Sequence, residues 1–226
     1  MSKKIRLVIF DLDGTLVDAY PAIVSSFNFT MGRLRLPLQD DRTIRRAVGW
    51  GDSHLLEPFV PASKLRTALS IYRRNHQKAL REKTRFLPGA KRILNWLKNR
   101  EFKLAVASNR PTKFSYIILE HLKIIEYFDY ILCADKIRRA KPYPDILFCI
   151  LKKLSVKPAQ ALYVGDMTVD IITGKRAKIK TVAITTGSST KKEISALKPF
   201  RVVRHISQLG TILRAINNGY FTGRSS

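Results

Sequence analysis

The chain has 226 residues, 45% of them hydrophobic, enough for one core domain plus an insertion. No run of about eighteen apolar residues occurs, so no membrane-spanning helix is expected. Lys and Arg number 42 against 17 Asp and Glu, a net charge of +25 that draws anionic partners; the charge is spread without a dense tail, zinc-binding Cys/His spacing or RNA-binding signature, which favours a small anionic substrate over nucleic acid or acidic lipid.

Residues 1–6 are basic, but the apolar run after them is short and ends in Asp11, unlike a signal peptide. That run, Leu7-Val8-Ile9-Phe10, reads as a buried parallel strand. Asp11-Leu12-Asp13-Gly14-Thr15 follows at once. At the C-terminal end of a strand the chain is already turning, so Asp11 and Asp13 can both aim at the crevice where open α/β sheets bind ligands. Two carboxylates this close repel, and they need a cation or a shared proton. Magnesium, a hard ion that takes oxygen ligands and helps to clamp phosphoryl groups, suits such a pair. Gly14 permits a tight turn, and Thr15 offers a hydroxyl and a backbone N–H near an anion.

An all-helical stretch comes next. Ile23, Phe27, Met31 and Leu34 recur at helical spacing over 22–34, and a second short helix is expected over 42–48. Val48-Gly49-Trp50-Gly51-Asp52 is a glycine-punctuated loop, and 53–60 is expected to be helical again. Pro61 then starts a long helix to about residue 81. Leu65, Leu69, Tyr72, His76, Ala79 and Leu80 make its apolar face, with Arg74, Lys78, Arg81 and Arg85 opposite as a solvated face. His76 is read as a packed core histidine and not a ligand. Leu87-Pro88-Gly89 marks a hinge out of the block.

From there strands and helices alternate. A helix over 90–99 leads to a strand over 102–107, which ends in Ser108-Asn109-Arg110-Pro111. Pro111 opens a helix whose first N–H groups would face an anion. A helix over 113–122, a strand over 130–132 and the segment Lys141-Pro142-Tyr143-Pro144 follow, then a helix over 146–154. The strand 161–164 ends in Gly165-Asp166-Met167-Thr168-Val169-Asp170. A strand over 181–184, the loop 185–189, a strand over 201–203 and a helix over 206–216 close the fold, and 219–226 are expected to fray. Cys133 and Cys149 sit in apolar stretches and are expected as buried free thiols of a reducing cytoplasm.

Asp11-Leu12-Asp13-Gly14-Thr15, Ser108, Lys141-Pro142-Tyr143-Pro144 and Gly165-Asp166 with Asp170 resemble, in order, the four motifs of the haloacid dehalogenase superfamily in its phosphatase form. The resemblance implies an α/β fold: a Rossmann-like parallel sheet core, residues 1–17 and 87–226, with an inserted α-helical cap domain at 18–86. It makes Asp11 the nucleophile and Asp13 the general acid–base. Ser108, Lys141 and the Asn109 backbone N–H would hold the phosphoryl oxygens. Magnesium would sit on Asp11, Asp166 and the backbone carbonyl of Asp13. Asp170 would bind that ion through water or orient Lys141, and Thr15 would support the site. The loop Gly49-Trp50-Gly51 resembles the substrate-specificity loop of the phosphoglycolate phosphatase group, with an ordinary interhelical turn as the plainer alternative. The function so implied is magnesium-dependent hydrolysis of a small phosphomonoester, 2-phosphoglycolate by preference, in the cytoplasm. A β-phosphoglucomutase-like mutase and a basic nucleic-acid-associated protein are the alternatives.

Overall fold

Residues 4–220 are described by a computed structural model. The strands are β1 (Leu7–Phe10), β2 (Val17–Asp18), β3 (Arg85–Phe86), β4 (Lys103–Ser108), β5 (Tyr130–Cys133), β6 (Ala161–Gly165), β7 (Lys180–Ile184) and β8 (Arg201–Val203). The helices are α1 (Tyr20–Arg33), α2 (Asp41–Ala47), α3 (Asp52–Leu56), α4 (Leu65–Lys83), α5 (Ala90–Lys98), α6 (Thr112–His121), α7 (Asp145–Leu154), α8 (Thr168–Arg176), α9 (Lys191–Ala196) and α10 (Leu209–Asn217).

Six of these strands form a parallel sheet in the order β5-β4-β1-β6-β7-β8. Every residue of β1 is buried, as its unbroken apolar sequence requires of a central strand covered on both faces. Val8 and Phe10 join Leu104, Val106, Leu162 and Val164 in the core that carries α5, α6 and α10. Leu7 and Ile9 face the other way, with Ala105, Ala107 and Tyr163, against α7. The period of two along each strand thus makes two cores from one sheet. The strand order reverses at β1, so the ends of β1, β4 and β6 share the crevice where such sheets take ligands.

The helical block α1–α4 has a third core of its own, around Phe27, Met31, Ile44, Leu56 and Tyr72. It is inserted through a two-residue antiparallel ladder, Val17 with Phe86 and Asp18 with Arg85. The chain therefore leaves and re-enters the core at one point. On α4 the buried residues are Ala68, Tyr72, His76, Ala79 and Leu80; Leu65 and Leu69 are half-buried.

Some expectations change. Cys149 is exposed, because α7 buries Ile146, Leu147, Ile150 and Leu151, and residue 149 falls on the opposite side of that helix. Cys133 is buried, and both thiols are free. The β2–β3 ladder and α9 were not anticipated. The expected fraying of 221–226 lies outside the described residues. Among the described residues, no helix is long and apolar enough to cross a membrane.

Candidate active site

Asp11 and Asp13 leave β1 on either side of Leu12, which is fully buried, and both carboxylates line one cavity. The Leu12 carbonyl accepts the N–H groups of Leu16 and Val17 at 3.0 and 3.1 Å, closing the turn. Gly14 takes φ +77° there, and a Cβ on it would lie 2.4 Å from Asp166 Oδ2. Only glycine lets the turns after β1 and β6 touch at this point. The contact is tied by Thr15, whose hydroxyl donates to Asp166 Oδ1 at 2.7 Å.

Lys141 reaches this cluster from the loop before α7. Its ammonium donates to Asp11 Oδ1 at 2.5 Å, to Asp170 Oδ1 at 2.7 Å and to the Ala107 carbonyl at 3.1 Å. Tyr163, on β6, donates its hydroxyl to Asp170 Oδ1 at 2.6 Å. Asp170 Oδ2 accepts the backbone N–H groups of Asp166 and Met167 at 3.2 and 3.1 Å. Both oxygens of Asp170 are thus engaged, Oδ1 with Lys141 and Tyr163 and Oδ2 with the backbone.

Burial pushes the Asp11 carboxyl up to about 7, against the pull of Lys141 and with the push of Asp170. Burial, Asp11 and Asp170 together push Asp166 well up. Burial alone would lower the Lys141 ammonium, but Asp11 and Asp170 outweigh it and hold it well above its usual range.

Three buried carboxylates thus face one buried ammonium. Oxygens of Asp11, Asp166 and Asp170 lie within 4.8 Å of one another, and Asp166 Oδ2 is buried without a partner. An orphaned anionic oxygen in an all-oxygen, net-negative cluster suits a hard divalent cation such as magnesium.

Ser108 ends β4 with its hydroxyl accepting the Arg110 N–H at 3.1 Å. The Asn109 side chain staples loops together: Oδ1 accepts the Lys141 N–H at 2.9 Å, and Nδ2 donates to the carbonyls of Lys141 and Gly49 at 3.1 and 3.0 Å. Gly49 and Gly51 line the cavity with Ser108, Asn109 and Lys141, whereas Trp50 does not and is 46% exposed. Gly49 packs so tightly on Met167 that a Cβ would lie 2.4 Å from its methyl carbon. The helical block is therefore seated on the core. The first N–H of α6 is already taken, by Asp135 Oδ1 at 2.8 Å.

Two residues of the site escaped the sequence reading. Arg110, buried, grips Asp13 with a fork: Nε to Oδ2 at 2.7 Å and one terminal nitrogen to Oδ1 at 2.9 Å. Its other terminal nitrogen lies 2.7 Å from His76 Nε2. His76 is packed in the interior, as expected, but its ring is also wired to the site. Tyr163 is the second. The readable signal for Arg110 was its place directly after Ser108-Asn109 at a strand end, since a cation buried there needs a carboxylate.

Comparison with known proteins follows the same lines. Residues 8–184 match the family model described as haloacid dehalogenase-like hydrolase. A phosphoglycolate phosphatase of Pseudomonas fluorescens strain Pf-5 is 30% identical over 213 residues, covering 90% of this chain and 78% of that protein. One of Shigella boydii serotype 4 is 28% identical, with 91% of each chain covered. The crystal structure of a predicted phosphoglycolate phosphatase from Haemophilus somnus 129pt superimposes with a TM-score of 0.88 at 26% identity, covering 94% of this chain and 99% of that one.

Proposed function

The chain belongs to the haloacid dehalogenase-like hydrolase family, and we propose that it is a magnesium-dependent phosphatase that cleaves a small phosphomonoester through an aspartyl-phosphate on Asp11. The observation that carries the reading is Lys141 bridging Asp11 and Asp170 beside the orphaned Asp166 Oδ2. An ordinary structural ion pair has no need of a third buried carboxylate with a bare oxygen.

Asp11 Oδ1 is held by Lys141, which leaves Oδ2 as the oxygen that attacks phosphorus in line. The ester P–O bond breaks as the new P–O bond forms, and Asp13 gives its proton to the departing oxygen. Asp13 then takes a proton from the water that attacks the aspartyl-phosphate and returns Asp11 as a carboxylate. Ser108, the Asn109 backbone N–H and Lys141 offset the charge on the transferring oxygens. Asp11, Asp166 and the Asp13 carbonyl would hold magnesium, which when bound neutralises charge between nucleophile and phosphate.

Residues 18–86 are read as a cap that closes over this chemistry and excludes water. With the cap seated, the cavity is about 60 Å³. Two relatives named phosphoglycolate phosphatase support 2-phosphoglycolate as the first substrate to try. The test is a panel of phosphate esters assayed with magnesium and with a chelator. We expect the highest kcat/KM for 2-phosphoglycolate and loss of turnover on chelation; absence of hydrolysis of every monoester in magnesium would overturn the reading.

A further inference from the structure

The helical block and the core share one unbroken line of hydrogen bonds that ends on Asp13. Ser26, on α1, donates its hydroxyl proton to the Ala22 carbonyl at 2.8 Å, so its oxygen is left to accept. His76 Nδ1, on α4, lies 3.0 Å from that oxygen. Arg110 approaches His76 Nε2 at 2.7 Å, and a guanidinium can only donate. Nε2 must therefore accept, the proton must sit on Nδ1, and one neutral tautomer satisfies every contact. The ring has little freedom to do otherwise. It stacks on Tyr72 at 4.8 Å and meets the edge of Phe114 at 5.2 Å, with His76 itself wholly buried.

From these contacts we propose that His76 is a positioning residue for Asp13, acting through Arg110, so that the carboxyl is aimed at the leaving group only while the helical block is seated. The proposal rests on the reading of Asp13 as general acid–base. A buried histidine needs partners for both ring nitrogens in any case; what points to the site is which partner Nε2 has, the guanidinium that itself grips Asp13. The fork engages both Asp13 oxygens, each of which keeps a further lone pair for a proton, so the guanidinium sets the plane in which the carboxyl presents it. His76 holds the third nitrogen of that guanidinium and so fixes its plane.

The test compares His76→Phe, His76→Gln, Arg110→Lys and Asp13→Asn on an alkyl phosphate and on p-nitrophenyl phosphate, with single-turnover phosphorylation as the readout. Glutamine can accept from Arg110 and donate to Ser26; phenylalanine can do neither, and lysine cannot make a fork. We expect His76→Phe and Arg110→Lys to slow alkyl ester phosphorylation by about tenfold to a hundredfold with KM little changed. The aryl ester, whose leaving group needs little protonation, should lose much less, and His76→Gln should recover most of the alkyl rate. Equal losses on the two esters, or a glutamine variant no better than phenylalanine, would overturn the proposal. If Asp13→Asn discriminates between the esters while Arg110→Lys and His76→Phe do not, the proposal fails and the acid–base reading stands. If Asp13→Asn itself does not discriminate, both fall. Should His76→Phe not fold, Arg110→Lys and His76→Gln carry the comparison, since each keeps a polar partner for the groups left buried.

Discussion

At the scale of single residues, Asp11 is the informative one, because its carboxyl is held near 7 by burial among like charges. A folded-state pKa raised from 3.8 means that the folded chain holds this proton more tightly than the unfolded chain. The resulting stabilisation is fully present below 3.8 and is lost as the pH rises through about 7. Asp11→Asn removes the titration while keeping a side chain that Lys141 can still reach. In chelator, the melting temperature of wild type should therefore fall relative to Asp11→Asn between pH 5 and about 8, and magnesium should narrow the gap. The same variant should lose at least about three orders of magnitude in turnover, because an amide is no nucleophile for phosphorus. A pH-independent difference in melting temperature would show that the Asp11 carboxyl is not raised in the folded chain. The unbroken apolar run of β6 marks Tyr163 as part of a buried strand; it could not show that its hydroxyl stands against Asp170, seven residues on.

At the scale of elements, periodicity carried most of the fold. β1 and β8 match their expected spans, and α1, α2, α6 and α7 begin within two residues of expectation. Elements without a strong apolar period were missed. α9 buries only Ile194, and the signal it did carry was a capping box, Thr190 with Glu193 three residues on. β2 and β3 are two residues each and exist only as partners of one another. Long-range pairings were not legible at all. Arg46 of α2 grips Glu193 of α9 at 2.7 and 3.0 Å and the Ser188 carbonyl at 2.8 Å, joining residues about 140 positions apart. This fork is half exposed, so it contributes little to overall stability, yet it joins the helical block to the core, the two bodies that part to admit substrate on the cap reading proposed above. Arg46→Ala should leave the melting temperature nearly unchanged. It should raise KM by no more than about fivefold, as expected for one exposed pair, with kcat little altered. A large drop in melting temperature would mean that the helical block depends on this contact to fold.

At the scale of the whole molecule, the question is what +25 does. Four of the 17 acidic residues, Asp11, Asp13, Asp166 and Asp170, are gathered at the site, which leaves the rest of the surface still more basic. On α4, Arg74 and Lys78 border a groove with Arg33 and the half-exposed Phe29. Lys78 reaches Glu82 only at 3.7 Å, and Arg81 donates back to the Gln77 carbonyl. None of these cations, nor Arg85, is buried. They act through the field they project, and such a field is screened over about 10 Å at 0.1 M salt. The cluster around Lys141 is enclosed and is screened far less. Raising salt should therefore lower kcat/KM for an anionic ester while kcat stays nearly constant. Replacing Arg74, Lys78, Arg81 and Arg85 with glutamine should weaken that salt dependence and leave the fold intact, because all four face solvent. Duplex DNA gives the contrasting outcome: its binding would fall with a log–log slope of roughly −0.9 per phosphate contacted. We expect only weak DNA binding near 0.15 M salt, without sequence preference. Tight binding there, abolished by the four substitutions, would show that the charge serves a polyanion and not the capture of a small ester.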